Sequence, residues 1–226
     1  MGRAILPLVV LVALILLLPR APIGNIGPSS THPGVGLGLT VAGFALGALP
    51  FAVWLGRLLA RREIREIGDG NPGAANAWRA GGWPVGVIAV LLDVSKGLLP
   101  VAVARHVYQM DGLWLVPVAL APALGHAFSP LLRWHGGKAV AATFGIWTGL
   151  TLWEGPMVLG LLCGAWLTVQ ERDAWSILLA MTGLGVYLLA RGASELLLLI
   201  WLGNIWLLVW THRRELRAGP RLRGLR

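Results

Sequence analysis

The sequence predicts an all-α protein: a polytopic transmembrane helical bundle with a seven-helix core and one extra hydrophobic segment at the N-terminus. Composition is the first reason. Of 226 residues, 56% are hydrophobic and 13% are charged, where soluble domains carry roughly 25% charged residues. The second is a mean hydropathy of +0.71, and the third is that the apolar residues gather into long runs. A helix needs about 20 of them to cross a hydrocarbon core. Disorder is excluded, because disordered chains are poor in apolar residues. The single Cys163 excludes a disulfide framework and a Cys-based zinc site.

The first run, residues 4–18, reads AILPLVVLVALILLL. Arg3 ahead of it gives the look of a signal peptide, but PRAPIG at 19–24 offers no small-residue cleavage site. It is therefore expected to stay as a helix, followed by a Pro/Gly/Ser-rich loop, so that residues 1–35 form a segment of their own. Seven further runs lie at about 36–60, 84–106, 113–132, 139–153, 156–170, 174–190 and 195–210. They make residues 36–212 one integral membrane domain and leave 213–226 as a basic tail.

The cations fix an orientation. With the loop at 61–83 inside, fifteen Lys and Arg fall on the inner side and only Arg20, Arg105 and Arg191 outside, with Lys96 within a span. Cytoplasmic loops carry this excess, so the active face and the C-terminus are expected in the cytoplasm. The net charge of +9 and pI near 11.4 are then explained by topology beside anionic lipid, and no nucleic acid is required. Trp83, Trp114, Trp134, Trp153, Trp175 and Trp210 fall near span ends, where aromatic belts form.

Three unusual segments share that inner side: 61–82 (RREIREIGDGNPGAANAWRAGG), 132–143 (LRWHGGKAVAAT) and the tail from Thr211. In the first, Gly68, Gly70 and Gly73 surround Asn71 and Pro72. The letters give G-x-G-x-x-G, but a dinucleotide fingerprint follows a strand, and here helix-forming RREIREI comes before it. What remains is an anion-binding loop, since glycines let backbone N–H groups converge without a Cβ in the way. Asn76 and Arg79, three apart, share a face of any helix that follows. In the second segment Gly136 and Gly137 present Lys138 at the start of a span, where unsatisfied helix amides add positive potential. A plain Gly-rich connector and a snorkelling Lys are the bland readings of the same letters; two such turns on one side favour a polyanionic ligand.

Inside the spans, Asp93 and Lys96 lie three apart on one helix. A lone charge there costs about 2.5–3.5 kcal/mol on insertion scales, so the two are expected to neutralise each other facing the bundle interior. His126, in ALGHAFSP, lies toward the inner end of its span and is either a packed side chain or part of the site.

Taken in order, these segments resemble the acyl-phosphate-dependent glycerol-3-phosphate acyltransferases, the PlsY family. Residues 68–79, GDGNPGAANAWR, are similar to the family's Gly-Ser-Gly-Asn-x-Gly-Ala-Thr-Asn signature and its downstream Arg. Asp93 to Gly97 resembles its Asp-x-x-Lys-Gly, and Gly125-His126 its Gly-His. GGKAVA at 136–141 is similar to Gly-Gly-Lys-Gly-Val-Ala, and His212-Arg213 sits where the family has His-Arg-x-Asn. The resemblance covers about 37–217. Asp69 stands in place of Ser, Ala75 of Thr, Glu215 of Asn, and Gly47-Ala48 replaces a Gly-Ser pair. Two of these bring carboxylates toward a phosphate site. Either Arg65, Arg79, Lys138 and the tail arginines compensate them, or the substrate has changed or activity is lost.

The resemblance implies acyl transfer from a fatty acyl phosphate to the 1-hydroxyl of sn-glycerol 3-phosphate, at a bacterial inner membrane, by a protein expected to be monomeric. An acyl phosphate is already activated, so no enzyme nucleophile is needed, and none is evident: there is no G-x-S-x-G, and Cys163 is alone in an apolar run. No cofactor is expected and no metal, for no His/Asp/Glu group has ligand spacing. The expected cradle is Gly68, Asp69, Gly70, Asn71, Gly73, Asn76 and Arg79 with Gly136, Gly137 and Lys138, while Arg65, His212 and Glu215 assist. His126 or His212 could act as base, or a substrate phosphate could take the proton. Two other readings compete: an inactive or altered-substrate paralogue, motivated by Asp69 and Glu215, and a small-molecule transporter, motivated by Asp93–Lys96 but without an internal repeat. His106 and Asp111 also match a His-x4-Asp acyltransferase signature, but on the outer side.

Overall fold

The computed structural model describes residues 33–224, and the regular elements among them are helical, apart from one isolated antiparallel bridge between Gln170 and Leu222. Helix α1 is Pro33–Ala48, α2 Phe51–Leu59, α3 Ala74–Ala102, α4 Leu115–Ala127, α5 Val140–Thr151, α6 Glu154–Val169, α7 Asp173–Ala190 and α8 Glu195–Leu216. A π-helical turn, Val103–Val107, extends α3. Five segments are long and apolar enough to cross a membrane: Pro33–Leu59, Ala74–Val107, Leu115–Leu132, α7 and α8. Helices α5 and α6 coincide with apolar runs too, but at 12 and 16 residues they fall short of a full span. The chain is an all-helical, multi-pass membrane protein. The expected N-terminal helix at 4–18, with Arg3 and most of the loop after it, lies outside the described residues.

Three local departures from expectation have local causes. The run at 36–60 is two helices, because Pro50 has no N–H to continue α1. The carbonyl left open at Ala48 accepts instead from the Ser129 hydroxyl at 2.5 Å. RREIREI forms only a single 3-10 turn, Ile64–Glu66. The Glu63 carboxylate there accepts the Arg65 N–H (3.2 Å), a side-chain bond that competes with helix formation. Finally, α3 starts at Ala74 and breaks at Gly82 (φ 72°, ψ −169°), so residues 74–81 form a short helix of their own, kinked from the run that starts near Pro84. Proline is tolerated at that restart, in a first turn whose N–H would be unpaired anyway.

The described residues fall into two compact units, one ending at Leu150 and the other beginning at Thr151. In the first, glycines let helices touch backbone to backbone. A Cβ at Gly47 would collide with Pro122 and one at Gly125 with Phe44, locking α1 to α4. Gly97 and Gly145 do the same between α3 and α5. Lipid supplies no hydrophobic drive between helices, so close contact of small residues carries their association.

In the second unit the Tyr187 hydroxyl donates to Glu154 at 2.5 Å, joining α7 to α6, and Trp201 Nε1 donates to the Met181 carbonyl at 2.7 Å, joining α8 to α7. Helix α8 runs four residues past the expected boundary at 212. The tail then turns at Gly219 (φ 71°) and lies along 169–172. Arg223 N–H donates to Val169 O and Glu171 N–H to Arg221 O, both at 2.8 Å, while the buried Gln170 side chain accepts the Arg221 N–H at 2.8 Å. The basic tail is therefore clasped, not loose.

Candidate active site

The Gly-rich loop and the start of α3 build one hydrogen-bonded chain. Gly68 (φ 62°) and Gly70 (φ 75°) take the left-handed backbone that glycine adopts freely. Between them Asp69 turns its carboxylate toward the helix N-terminus. Its Oδ1 accepts the Asn71 N–H at 3.2 Å and the Asn76 amide at 2.8 Å. Asn76 is buried, and its Nδ2 also donates to the Asn71 carbonyl (2.9 Å) while its Oδ1 accepts from Arg79 Nη1 (2.7 Å). A carboxylate on one side and a guanidinium on the other leave the amide one orientation, since the first only accepts and the second only donates. The i,i+3 face-sharing of Asn76 and Arg79 expected from the sequence is present.

The second segment meets the first. Lys138 Nζ donates to Asp69 Oδ2 at 2.6 Å, across 69 positions of chain. The chain of contacts is thus Arg79, Asn76, Asp69, Lys138. Lys138 is placed by the end of α4: Gly136 N–H donates to the Ala127 carbonyl and Gly137 N–H to the His126 carbonyl, each at 3.0 Å. Side chains at 136 or 137 would collide with His126, so both glycines are required there. These two amides are committed to α4, and the Gly70 N–H is committed to Ile67 O at 3.1 Å. The donors gathered here are accordingly side chains more than glycine amides: Arg79, Asn76 and Lys138, with Gly68 and Gly73 flanking.

Asp69 is compensated as its presence demanded, though by fewer partners than expected. Partial burial pushes its carboxyl up, but the Lys138 ammonium, the Asn71 N–H and the Asn76 amide outweigh that and hold it at about 2. Arg65 does not contribute to it. Its guanidinium is taken by Glu63, Nε to Oε1 at 2.8 Å and Nη2 to Oε2 at 3.0 Å, with Arg57 on the same carboxylate at 2.5 Å. The bond from Arg65 is the main reason the Glu63 carboxyl is held down at about 2. Sequence reasoning passed over Glu63, although an acid two residues before Arg65 was a visible signal.

Beneath the loops lies a second cluster. Lys96 Nζ is 2.5 Å from Asp93 Oδ1, both buried, and sits 4.8 Å over the Phe51 ring. His126 Nδ1 lies 3.5 Å from Lys96 Nζ and 3.7 Å from Asp93 Oδ1. Together with Pro72 of the first loop and Gly137 of the second, these groups line one small cleft. The pairing expected of Asp93 and Lys96 is present, and His126 Nδ1 lies within 3.7 Å of both.

The remaining candidates are elsewhere. His212 and Glu215 belong to the second unit, in the last turns of α8. His212 is buried, with Nδ1 2.8 Å from the Leu208 carbonyl, which fixes the proton on Nδ1. His106 and Asp111 go to different partners, the Gly149 carbonyl (3.0 Å) and Arg105 (3.3 Å), so they form no catalytic pair. Among the described residues no group of three His, Cys, Asp or Glu is arranged to hold a metal ion.

Comparison with known proteins points one way. Residues 37–219 match the family model described as glycerol-3-phosphate acyltransferase. Over 170 residues the chain is 41% identical to glycerol-3-phosphate acyltransferase 1 of Thermotoga maritima, covering 69% of this chain and 83% of that protein. Its fold is similar to the crystal structure of PlsY (YgiH), an integral membrane glycerol 3-phosphate acyltransferase, in its glycerol 3-phosphate form. The TM-score is 0.72 at 26% identity, covering 80% of this chain and 90% of that one. The lysophosphatidic acid form of the same enzyme gives a TM-score of 0.70.

Proposed function

The chain belongs to the glycerol-3-phosphate acyltransferase family, and from that premise we propose that it transfers a fatty acyl group from acyl phosphate to sn-glycerol 3-phosphate. The attacking group is the 1-hydroxyl oxygen, which forms a bond to the acyl carbonyl carbon. The bond from that carbon to the phosphate oxygen breaks, inorganic phosphate leaves, and lysophosphatidate remains. The observation that carries this reading is the chain from Arg79 through Asn76 and Asp69 to Lys138, which gathers two cations and an oriented amide where the Gly-rich loop meets the Gly136–Gly137 turn. Two phosphates held side by side need such fixed donors, and charge on the departing phosphate is stabilised by the same groups.

The hydroxyl proton passes to a base. His126 lines the cleft and is one acceptor, and a substrate phosphate is the other. The alkyl chain is accommodated by an apolar groove between α1 and α4, lined by Phe44, Val41, Leu120 and Leu124. That groove lies on the same two helices that carry Gly47 and His126 to the polar cleft. In this reading the loops, the tail and the active face are cytoplasmic, as the excess of inner cations requires, and the protein works as a monomer in a bacterial inner membrane.

Purified protein given palmitoyl phosphate and labelled glycerol 3-phosphate is expected to form lysophosphatidate. Lys138→Ala and Arg79→Ala should each lower kcat/KM by about 10²–10³, the usual effect of deleting a donor to developing charge. No product above the Lys138→Ala control would overturn the assignment.

A further inference from the structure

The Asp69 carboxylate gathers donors of the kind that hold a phosphate. Its oxygens take three donors that an anionic ligand needs: the Lys138 ammonium, one proton of the Asn76 amide and the Asn71 N–H. The cradle does not depend on it for shape. Without Asp69, Asn76 keeps its orientation through the Asn71 carbonyl and Arg79, and Lys138 keeps its place through the Gly136 and Gly137 bonds to α4. The side chain is 44% exposed and that of Lys138 25%, so an anion arriving from water reaches both. Asp69 is also flanked by two glycines with positive φ, the most permissive backbone a swinging carboxylate can have.

We propose that Asp69 is an internal occupant of the phosphate subsite, bridging Asn76 and Lys138 and displaced when the phosphate of a substrate binds. It then sets affinity for anionic substrates. The inference rests on the acyltransferase reading for the identity of the ligand, but the competition itself follows from charge. A carboxylate and a phosphate repel across a few ångströms in partly dehydrated surroundings, and the particular N–H groups of Lys138 and Asn76 now given to Asp69 reach a phosphate only as the carboxylate withdraws.

The test uses full-length protein in detergent micelles at fixed ionic strength, with inorganic phosphate as the probe and calorimetry as the readout. Asp69→Asn and Asp69→Ser should each bind phosphate about tenfold more tightly than the native protein, equivalent to about 1.4 kcal/mol. Unchanged or weaker binding in both variants would overturn the proposal, since Asp69 would then be a fixed support for Lys138. If neither variant folds, infrared difference spectra of the native protein decide: phosphate should shift a carboxylate stretching band as Asp69 loses its ammonium partner, and an unshifted spectrum at saturating phosphate overturns the idea. The probe needs no acyl transfer, so the two readings fail separately. An inactive protein whose variants bind phosphate more tightly loses the reaction but keeps this inference; an active one whose variants do not has the opposite outcome.

Discussion

A Cβ on Gly68 would stand 2.5 Å from Nη1 of Arg79 and 2.5 Å from Oδ1 of Asn76. The loop backbone thus packs directly on the two side chains that begin the hydrogen-bonded chain to Lys138, and only glycine leaves them room.

Gly68→Ala should therefore displace Arg79 and lower kcat/KM by about 10²-fold, an order set by misplacing a reacting group by about 1 Å. Gly70→Ala is the control. Its φ is equally left-handed, but the nearest atom to a Cβ is the Arg65 carbonyl at 3.3 Å. It should cost stability with a much smaller effect on turnover, read as melting temperature against kcat/KM.

The Asp93–Lys96 pair predicts a double-mutant result. Asp93→Asn or Lys96→Met alone leaves a buried charge uncompensated and should destabilise by about 3–5 kcal/mol, whereas the double variant should recover much of that. Thermal unfolding in a single detergent measures all three. Equal, additive losses would show that the two residues do not act as a pair.

Ala139, buried directly after Lys138, has φ 63°. A left-handed residue with a Cβ costs roughly 1–2 kcal/mol, and such strain persists where the surroundings over-determine it. Ala139→Gly should raise stability by about 0.5–1 kcal/mol, the relief being partly offset by the larger entropy of an unfolded glycine. A lower melting temperature would show that the backbone there is not strained.

How much of this was legible in the sequence depends on range. The helices were, because apolar runs report burial in lipid residue by residue, and so was the contact of Asn76 with Arg79, which needs only a 3.6-residue turn. The Pro50 break lay in plain letters inside a run that looked continuous. The pairing of Lys138 with Asp69 was not legible, since 69 residues separate them and only the end point of α4 decides where the Gly136–Gly137 turn lands. For the same reason the fate of the Gly136 and Gly137 amides could not be foreseen. Arg65 was misread as a helper of Asp69 because charge alone does not say which carboxylate a guanidinium prefers, and Glu63 was nearer.

Acid should destabilise the protein in a defined window. Glu63 and Asp69 are held at about 2, down from 4.5 and 3.8. The unfolded chain takes up those protons near pH 4 and the folded chain only near pH 2. Stability from these groups is thus complete above about pH 5 and is lost as pH falls through about 4 to about 2. Melting temperatures across that range should fall, and Glu63→Gln should flatten the slope. A slope unchanged in that variant would assign the acid sensitivity to other carboxyls.

The partner of Lys96 being on its own helix bears on biogenesis. An ion pair three residues apart closes within one turn of α3, so the segment can leave the translocon already neutral, before any neighbouring helix has arrived to receive a charge. Had the counter-ion come from α4 or α5, the nascent α3 would have entered the bilayer with bare charges, each costing about 2.5–3.5 kcal/mol on insertion scales.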